Sequence, residues 1–96
     1  MNILYLALKR QYFEQIKSGE KVEEFRLVTP YWQKRLAKKY DRIVLTLGYP
    51  SKNDQSRRII CDWDGYEIRT IIHPHFGLDP VKVFAISLKK LINVNN

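Results

Sequence analysis

Charged residues crowd the segment GEKVEEFR at residues 19–26, where Lys21, Glu24 and Arg26 stand close enough to bind one ligand together. In a β-strand alternate side chains share a face, so Glu24 and Arg26 point the same way with about 7 Å between their Cα atoms. Lys21 stands at the turn before the strand, from which its long stem can reach Glu24. Such a triplet offers a guanidinium fork and an ammonium to phosphate, and a carboxylate to an exocyclic amine. The alternative is a charge ladder on an exposed face, in which each pair contributes about 0–1 kcal/mol.

A second set of cations lies in the helix predicted after this strand. Its basic residues recur at positions i, i+1, i+4 and i+5, which places them on one face: Lys34, Arg35, Lys38 and Lys39. The opposite face carries Trp32, Leu36 and Tyr40, spaced by four residues and expected to meet the core. The pattern predicts either a surface that follows RNA phosphates or an ordinary solvated helix face.

Isolated aromatic, histidine and cysteine residues add fewer possibilities. Tyr49 lies in a Gly-Tyr-Pro loop after a strand, a good place for a ligand contact. Trp63 stands beside the predicted hairpin turn, where it is either exposed or covers one end of a barrel, and the second is favoured. His73 and His75 are only half of a zinc site, so we expect no metal and no cofactor. Cys61 has no neighbouring base in the sequence and is interpreted as a small core residue.

Hydrophobic periodicity and turn residues predict six strands and two helices. Gly19 ends the first helix in the left-handed conformation, Thr29 and Pro30 begin the second, and Asp64-Gly65 is a hairpin turn. The predicted strands are 3–8, 22–27, 42–47, 57–63, 66–72 and 81–88, and the helices are 10–18 and 30–40. This order predicts an α+β fold in which about six strands form a small closed or nearly closed β-barrel with helices at its ends.

The second strand carries the triplet, so the direction of its side chains matters. Phe25 and Leu27 are apolar and alternate, which predicts that they face the core, with Glu23 at the mouth of that face. Glu24 and Arg26 then point to the opposite side.

The composition limits the classes of protein to which the chain can belong. Its 96 residues are enough for one domain, residues 1–96, and 17 Lys and Arg against 10 Asp and Glu give a net charge of +7. Such a surplus favours a polyanionic partner, which can be RNA, DNA or an anionic surface. The apolar runs are too short to cross a membrane. A signal peptide has a cationic stretch before its apolar run, and MNILYLALKR has none, so we do not expect it to be one. A single cysteine fits a cytoplasmic location.

The pattern Gly19-x-Lys21-x-x-Glu24-x-Arg26, placed after an opening strand and a helix, resembles the G-x-K-x-x-E-x-R signature of the ASCH domain family. The resemblance extends from about Ile3 to Leu88. It implies a PUA-like β-barrel with a cleft lined by the motif, and RNA or a nucleotide-like molecule as ligand.

The same resemblance leaves binding and catalysis open. Some ASCH proteins resemble amidohydrolases that deacetylate acetylcytidine with a threonine nucleophile and a motif lysine, and others are linked to RNA cleavage. This chain keeps Lys21 but has Glu24 at the threonine position, and a carboxylate is not a hydroxyl nucleophile. Lys21 and Glu24 would be catalytic only in a hydrolase, with Glu67 as a candidate for the distant acid. We therefore expect an RNA- or nucleotide-binding module using Lys21, Glu24, Arg26 and Tyr49, with a hydrolase as the alternative and a protein partner as a third possibility.

Overall fold

A computed structural model describes residues 1–94 and confirms the α+β class. In these residues the strands are β1 (Ile3–Leu8), β2 (Glu23–Leu27), β3 (Arg42–Leu47), β4 (Arg58–Asp62), β5 (Tyr66–Ile71), β6 (Val81–Ser87) and β7 (Leu91–Val94). The helices are α1 (Arg10–Lys17) and α2 (Pro30–Leu36), and single 3₁₀ turns span Gln55–Arg57 and Pro74–Phe76. Neither α-helix of the described chain is long and apolar enough to cross a membrane.

A closed or nearly closed barrel was expected, but the strands form two separate hydrogen-bonded sheets and no closed barrel. The larger sheet has the order β1-β3-β4-β7, with β1 and β3 parallel and the other pairs antiparallel. The smaller sheet has the order β2-β6-β5 and is antiparallel throughout. β1 and β2 are therefore edge strands, and the two helices connect them to each other and to β3.

The core lies where aliphatic side chains of the larger sheet meet α1 and β6. Tight packing of these groups removes apolar surface from water, which is the main stabilising contribution in a chain without disulfides. Its members with almost no exposed surface include Leu4, Leu6, Phe13, Ile43, Leu45, Ile59, Cys61 and Ile86.

Local signals at the helix ends are confirmed. The backbone of Gly19 has φ +82°, a conformation that a residue with a Cβ rarely adopts, and it follows the C-cap of α1. The Oγ1 atom of Thr29 accepts a hydrogen bond from the backbone N–H of Trp32 at 3.3 Å, and Pro30 is the first residue of α2.

The hairpin predicted at Asp64-Gly65 is wrong. β4 pairs with β3 and β7, whereas β5 pairs with β6 in the other sheet. The connecting residues are bonded to both sheets, because Trp63 N–H donates to the carbonyl of Asp41 and Ser87 N–H donates to the carbonyl of Gly65. Gly65 does adopt a positive φ of +76°, but the partners of the flanking strands depend on distant residues.

Two further predictions about the elements need correction. The second helix ends at Leu36 and not at Tyr40, because the hydroxyl of Tyr40 donates to the carbonyl of Arg35 at 2.6 Å and so holds the chain in a turn. Lys38 and Lys39 therefore lie outside the helix. The chain also forms β7 after β6, a seventh strand that the sequence pattern did not indicate.

The faces of β2 were assigned the wrong way round. Leu27 is exposed and Phe25 is only half-buried, whereas Glu24 is 5% exposed. The physical reason is that Lys21 and Arg26 donate hydrogen bonds to the carboxylate of Glu24, and the carbonyl of Ala7 on β1 accepts in turn from Arg26. Phe25 and Leu27 are not enclosed by the core and border an open cavity, which Glu24 and Arg26 also line.

Candidate functional site

Lys21, Glu24 and Arg26 converge in the structure on one buried carboxylate. Nζ of Lys21 lies 2.9 Å from Oε1 of Glu24, and Nη2 of Arg26 lies 2.8 Å from Oε2. We call these three residues the triplet. One carboxylate neutralises one of the two cations, so the triplet keeps a formal charge of +1, which favours an anionic ligand.

The turn after α1 places Lys21. The left-handed backbone of Gly19 reverses the chain, and the backbone N–H of Lys21 then donates to the carbonyl of Gln15 at 3.0 Å. The ammonium of Lys21 lies 4.6 Å from the ring centre of Tyr12 and 5.5 Å from that of Phe25. These cation–π contacts and the bond to Glu24 hold a flexible side chain in one position.

Arg26 is fixed by the edge of β1 and by an aromatic ring. Its Nη2 also approaches the carbonyl of Ala7 at 3.4 Å, and its guanidinium carbon lies 5.2 Å from the ring centre of Trp32. Within the described residues, its Nε is buried and has no hydrogen-bond partner. A buried donor without a partner is uncommon in proteins and leaves hydrogen-bonding capacity for another group.

The triplet lines a cavity of about 390 Å³, within the size range of small-molecule sites. We call it the triplet cavity. Its charged side is the triplet, and the aromatic and imidazole side chains that surround it are Tyr12, Phe25, Tyr31, Trp32, His73, His75 and Phe76. Cationic groups beside flat rings suit a ligand that carries both a phosphate and a base.

The 3₁₀ turn Pro74–Phe76 supplies a wall that sequence reasoning missed. His73 and His75 lie beside Tyr12 with ring centres 6.0 and 5.5 Å away, and His73 lies 5.9 Å from Phe25. The only signal in the sequence was the density of rings in HPHF. In residues 1–94 no group of three or more His, Cys, Asp and Glu side chains could hold a metal ion.

Tyr49 does not line the triplet cavity. Its side chain is 96% exposed and borders a neighbouring cavity of about 520 Å³, which we call the second cavity. The two cavities share Ala7, Arg26 and Trp32. Tyr49 and the triplet are thus on adjacent sites and not within one.

The predicted stripe of cations is divided. Lys34, Lys38 and Lys39 are exposed. Arg35 instead turns toward the sheet, where its Nη2 donates to the carbonyl of Tyr5 at 2.7 Å and its guanidinium carbon lies 5.0 Å from the ring centre of Trp32.

The groups considered for hydrolysis do not assemble around the triplet. Glu67 pairs with Arg69 on β5 and is absent from the lining of the triplet cavity. Thr29 lines this cavity, but its hydroxyl oxygen is the acceptor that caps α2. Cys61 is completely buried, and burial, helped by the charge of Asp62, raises the pKa of its thiol to about 11.

A second, more exposed ion-pair group lies on the other side of β2. Arg69 forms a two-pronged contact with Glu23, with Nη1 2.8 Å from Oε1, and also pairs with Glu67. Hydrogen bonding to Arg69 lowers the pKa of Glu23, although partial burial acts in the opposite direction. This group gives a comparison for the triplet on the same strand.

Comparisons with known proteins leave the family unassigned. The chain matches no family model, and neither the curated proteins nor the solved structures contain a match to it.

Proposed function

We propose that the protein binds RNA or a nucleotide-type ligand in the triplet cavity. The observation that carries the proposal is the meeting of a net positive, partly buried triplet with several rings around about 390 Å³ of space. A phosphate and a base need both features side by side. The overall charge of +7 adds a long-range attraction for polyanions.

Each member of the triplet has a distinct part in this proposal. Lys21 and Arg26 keep N–H donors beyond those used on Glu24, and these donors suit phosphate oxygens. The lone pairs that remain on Glu24 accept from an exocyclic amine, as carboxylates do from cytosine. Tyr31 is exposed at the rim, where a base can stack on its ring.

We further propose that the chain is an ASCH domain and that its two sheets are an opened form of the PUA-like barrel. The support is the motif Gly19-x-Lys21-x-x-Glu24-x-Arg26 together with the position of its charged residues at a cavity. Binding is favoured over hydrolysis, because both oxygens of Glu24 are engaged by cations and no hydroxyl replaces it.

A binding titration of Lys21→Gln tests the proposal, with Lys17→Gln as the matched control. Both variants lose one positive charge near the end of α1, but Lys17 does not line the triplet cavity. The probes are cytidine 5′-monophosphate and single-stranded hexacytidylate RNA, and the binding of each is measured by calorimetry. Loss of a charge-assisted hydrogen bond predicts a rise in Kd of about tenfold or more for Lys21→Gln only.

Two results would contradict the proposal. One is that the folded wild-type protein binds neither probe at millimolar concentration. The other is that the two variants weaken binding equally, which would mean that overall charge and not the cavity attracts the ligand. Circular dichroism of each variant separates a loss of binding from a loss of structure.

A further inference from the structure

The second cavity has the chemistry of a nucleotide site in its own right. Its lining combines the guanidinium groups of Arg35 and Arg58 with the rings of Tyr5 and Tyr49. Tyr5 is 55% exposed and Tyr49 is 96% exposed, so both rings have faces available to a ligand. Exposed rings beside cations are the usual means of holding single-stranded nucleic acid.

Arg35 and Arg58 are held in this cavity by backbone carbonyls and not by ion pairs within the described residues, although Arg58 is close enough to Asp54 to help lower the pKa of that carboxyl. Arg58 donates to the backbone carbonyls of Ser51 and Asp54 at 2.8 and 2.7 Å, and Arg35 donates to the carbonyl of Tyr5. These partners fix the guanidinium groups but carry no net charge. Neither arginine has an ion pair among residues 1–94, and the carboxylate of Asp54 pairs with Arg57 at 3.3 Å.

The second cavity also adjoins the triplet cavity. Arg26 and Trp32 line both, and the ring of Trp32 has the guanidinium carbon of Arg26 at 5.2 Å and that of Arg35 at 5.0 Å. A line of cations therefore runs from Lys21 through Arg26 and Arg35 to Arg58. Such a line follows the backbone of a strand better than it fits one isolated phosphate.

We propose that the second cavity binds the neighbouring nucleotide of a single RNA strand whose first nucleotide occupies the triplet cavity. This inference rests on the proposed function and makes it more specific. The ligand is then a strand of at least two nucleotides and not a free mononucleotide. Tyr49 stacks on the second base, and Arg35 and Arg58 contact the phosphate of that nucleotide.

The test compares cytidine 5′-monophosphate with the 5′-phosphorylated dinucleotide pCpC by calorimetry. The wild-type protein should bind pCpC about tenfold more tightly, as expected for one added stacked base. Tyr49→Ala and Arg58→Gln should each reduce this advantage to about twofold, a purely statistical gain, without changing the affinity for the mononucleotide. The two control variants are Tyr66→Ala and Arg57→Gln. The first removes an exposed tyrosine ring from β5, and the second removes one positive charge from the residue that precedes Arg58. Neither control residue lines either cavity.

The outcomes separate this inference from the proposed function. If the wild-type protein binds the mononucleotide in a Lys21-dependent way but gains no more than about twofold from pCpC, the second site is wrong and the first stands. If the two controls reduce the advantage as much as Tyr49→Ala and Arg58→Gln, the second cavity is also rejected. If neither probe binds, the proposed function itself fails.

Discussion

Replacing Glu24 with glutamine should destabilise the protein, because Glu24 is a nearly buried carboxylate held between two cations. Glutamine has almost the same shape but no charge, so Lys21 and Arg26 would face each other without an anion between them. The amide also offers one acceptor oxygen where the carboxylate offers two. One of the two charge-assisted hydrogen bonds at 2.9 and 2.8 Å must therefore be lost.

The size of the effect follows from the burial of the three side chains. Removing one partner of a fully buried ion pair costs about 3–5 kcal/mol. The Glu24 side chain is 6% exposed, but those of Lys21 and Arg26 are 15% and 24% exposed, so water still reaches both cations. We therefore expect a loss of about 2–3 kcal/mol in the free energy of unfolding, and a fall in Tm of roughly 10–20 °C.

The assay is urea unfolding at pH 7, with the fluorescence of Trp32 and Trp63 as the measured signal. Glu23→Gln is the matched control, because it removes the same charge from the adjacent residue of β2. Glu23 pairs with Arg69, whose side chain is 39% exposed, so this loss should cost less than about 1 kcal/mol. If Glu24→Gln costs no more than Glu23→Gln, or stabilises the protein, the reasoning from burial is refuted.

Two further predictions concern the exposed lysines and the buried thiol. Replacing Lys34, Lys38 and Lys39 together with glutamine should lower the salt dependence of RNA affinity by a slope of about 2, because each phosphate contact on single-stranded RNA contributes about 0.7. An unchanged slope in the folded variant would remove these lysines from the interface. Because burial raises the pKa of Cys61 from 9.0 to about 11, the folded protein holds the thiol proton more tightly than the unfolded chain does. This stabilisation is complete below pH 9 and is lost as the pH rises toward 11, so the stability advantage of the wild-type protein over Cys61→Ala should shrink by about 2 kcal/mol between pH 7 and 10.5. A constant advantage across this range would contradict the prediction.

Local chemistry made several elements predictable from the sequence. The aliphatic runs at 3–8 and 42–47 are strands with the expected bounds. Gly19 and the Thr29-Pro30 pair act through the backbone conformation and hydrogen bonds of a few neighbouring residues, so their effects need no knowledge of the rest of the chain. For the same reason the triplet could be selected as a group, since its members lie within six residues.

Long-range pairing decided what the sequence pattern left open. Asp64-Gly65 predicts a hairpin turn, but the pairing of β5 with β6 places the chain in the second sheet instead. His73 and His75 become part of the cavity because the turn after β5 lies against Tyr12, more than sixty residues earlier in the chain.

The orientation of β2 shows this division most clearly. The sequence by itself determined that Glu24 and Arg26 share one face and that Phe25 shares the other with Leu27. Hydrophobicity alone then favoured burial of Phe25 and Leu27. The tertiary structure decided the opposite, because Lys21 and Arg26 donate to the carboxylate of Glu24 and compensate the cost of burying its charge, while the carbonyl of Ala7 on β1 holds Arg26 in place. That compensation depends on groups from separate elements, and alternation along one strand carries no information about them.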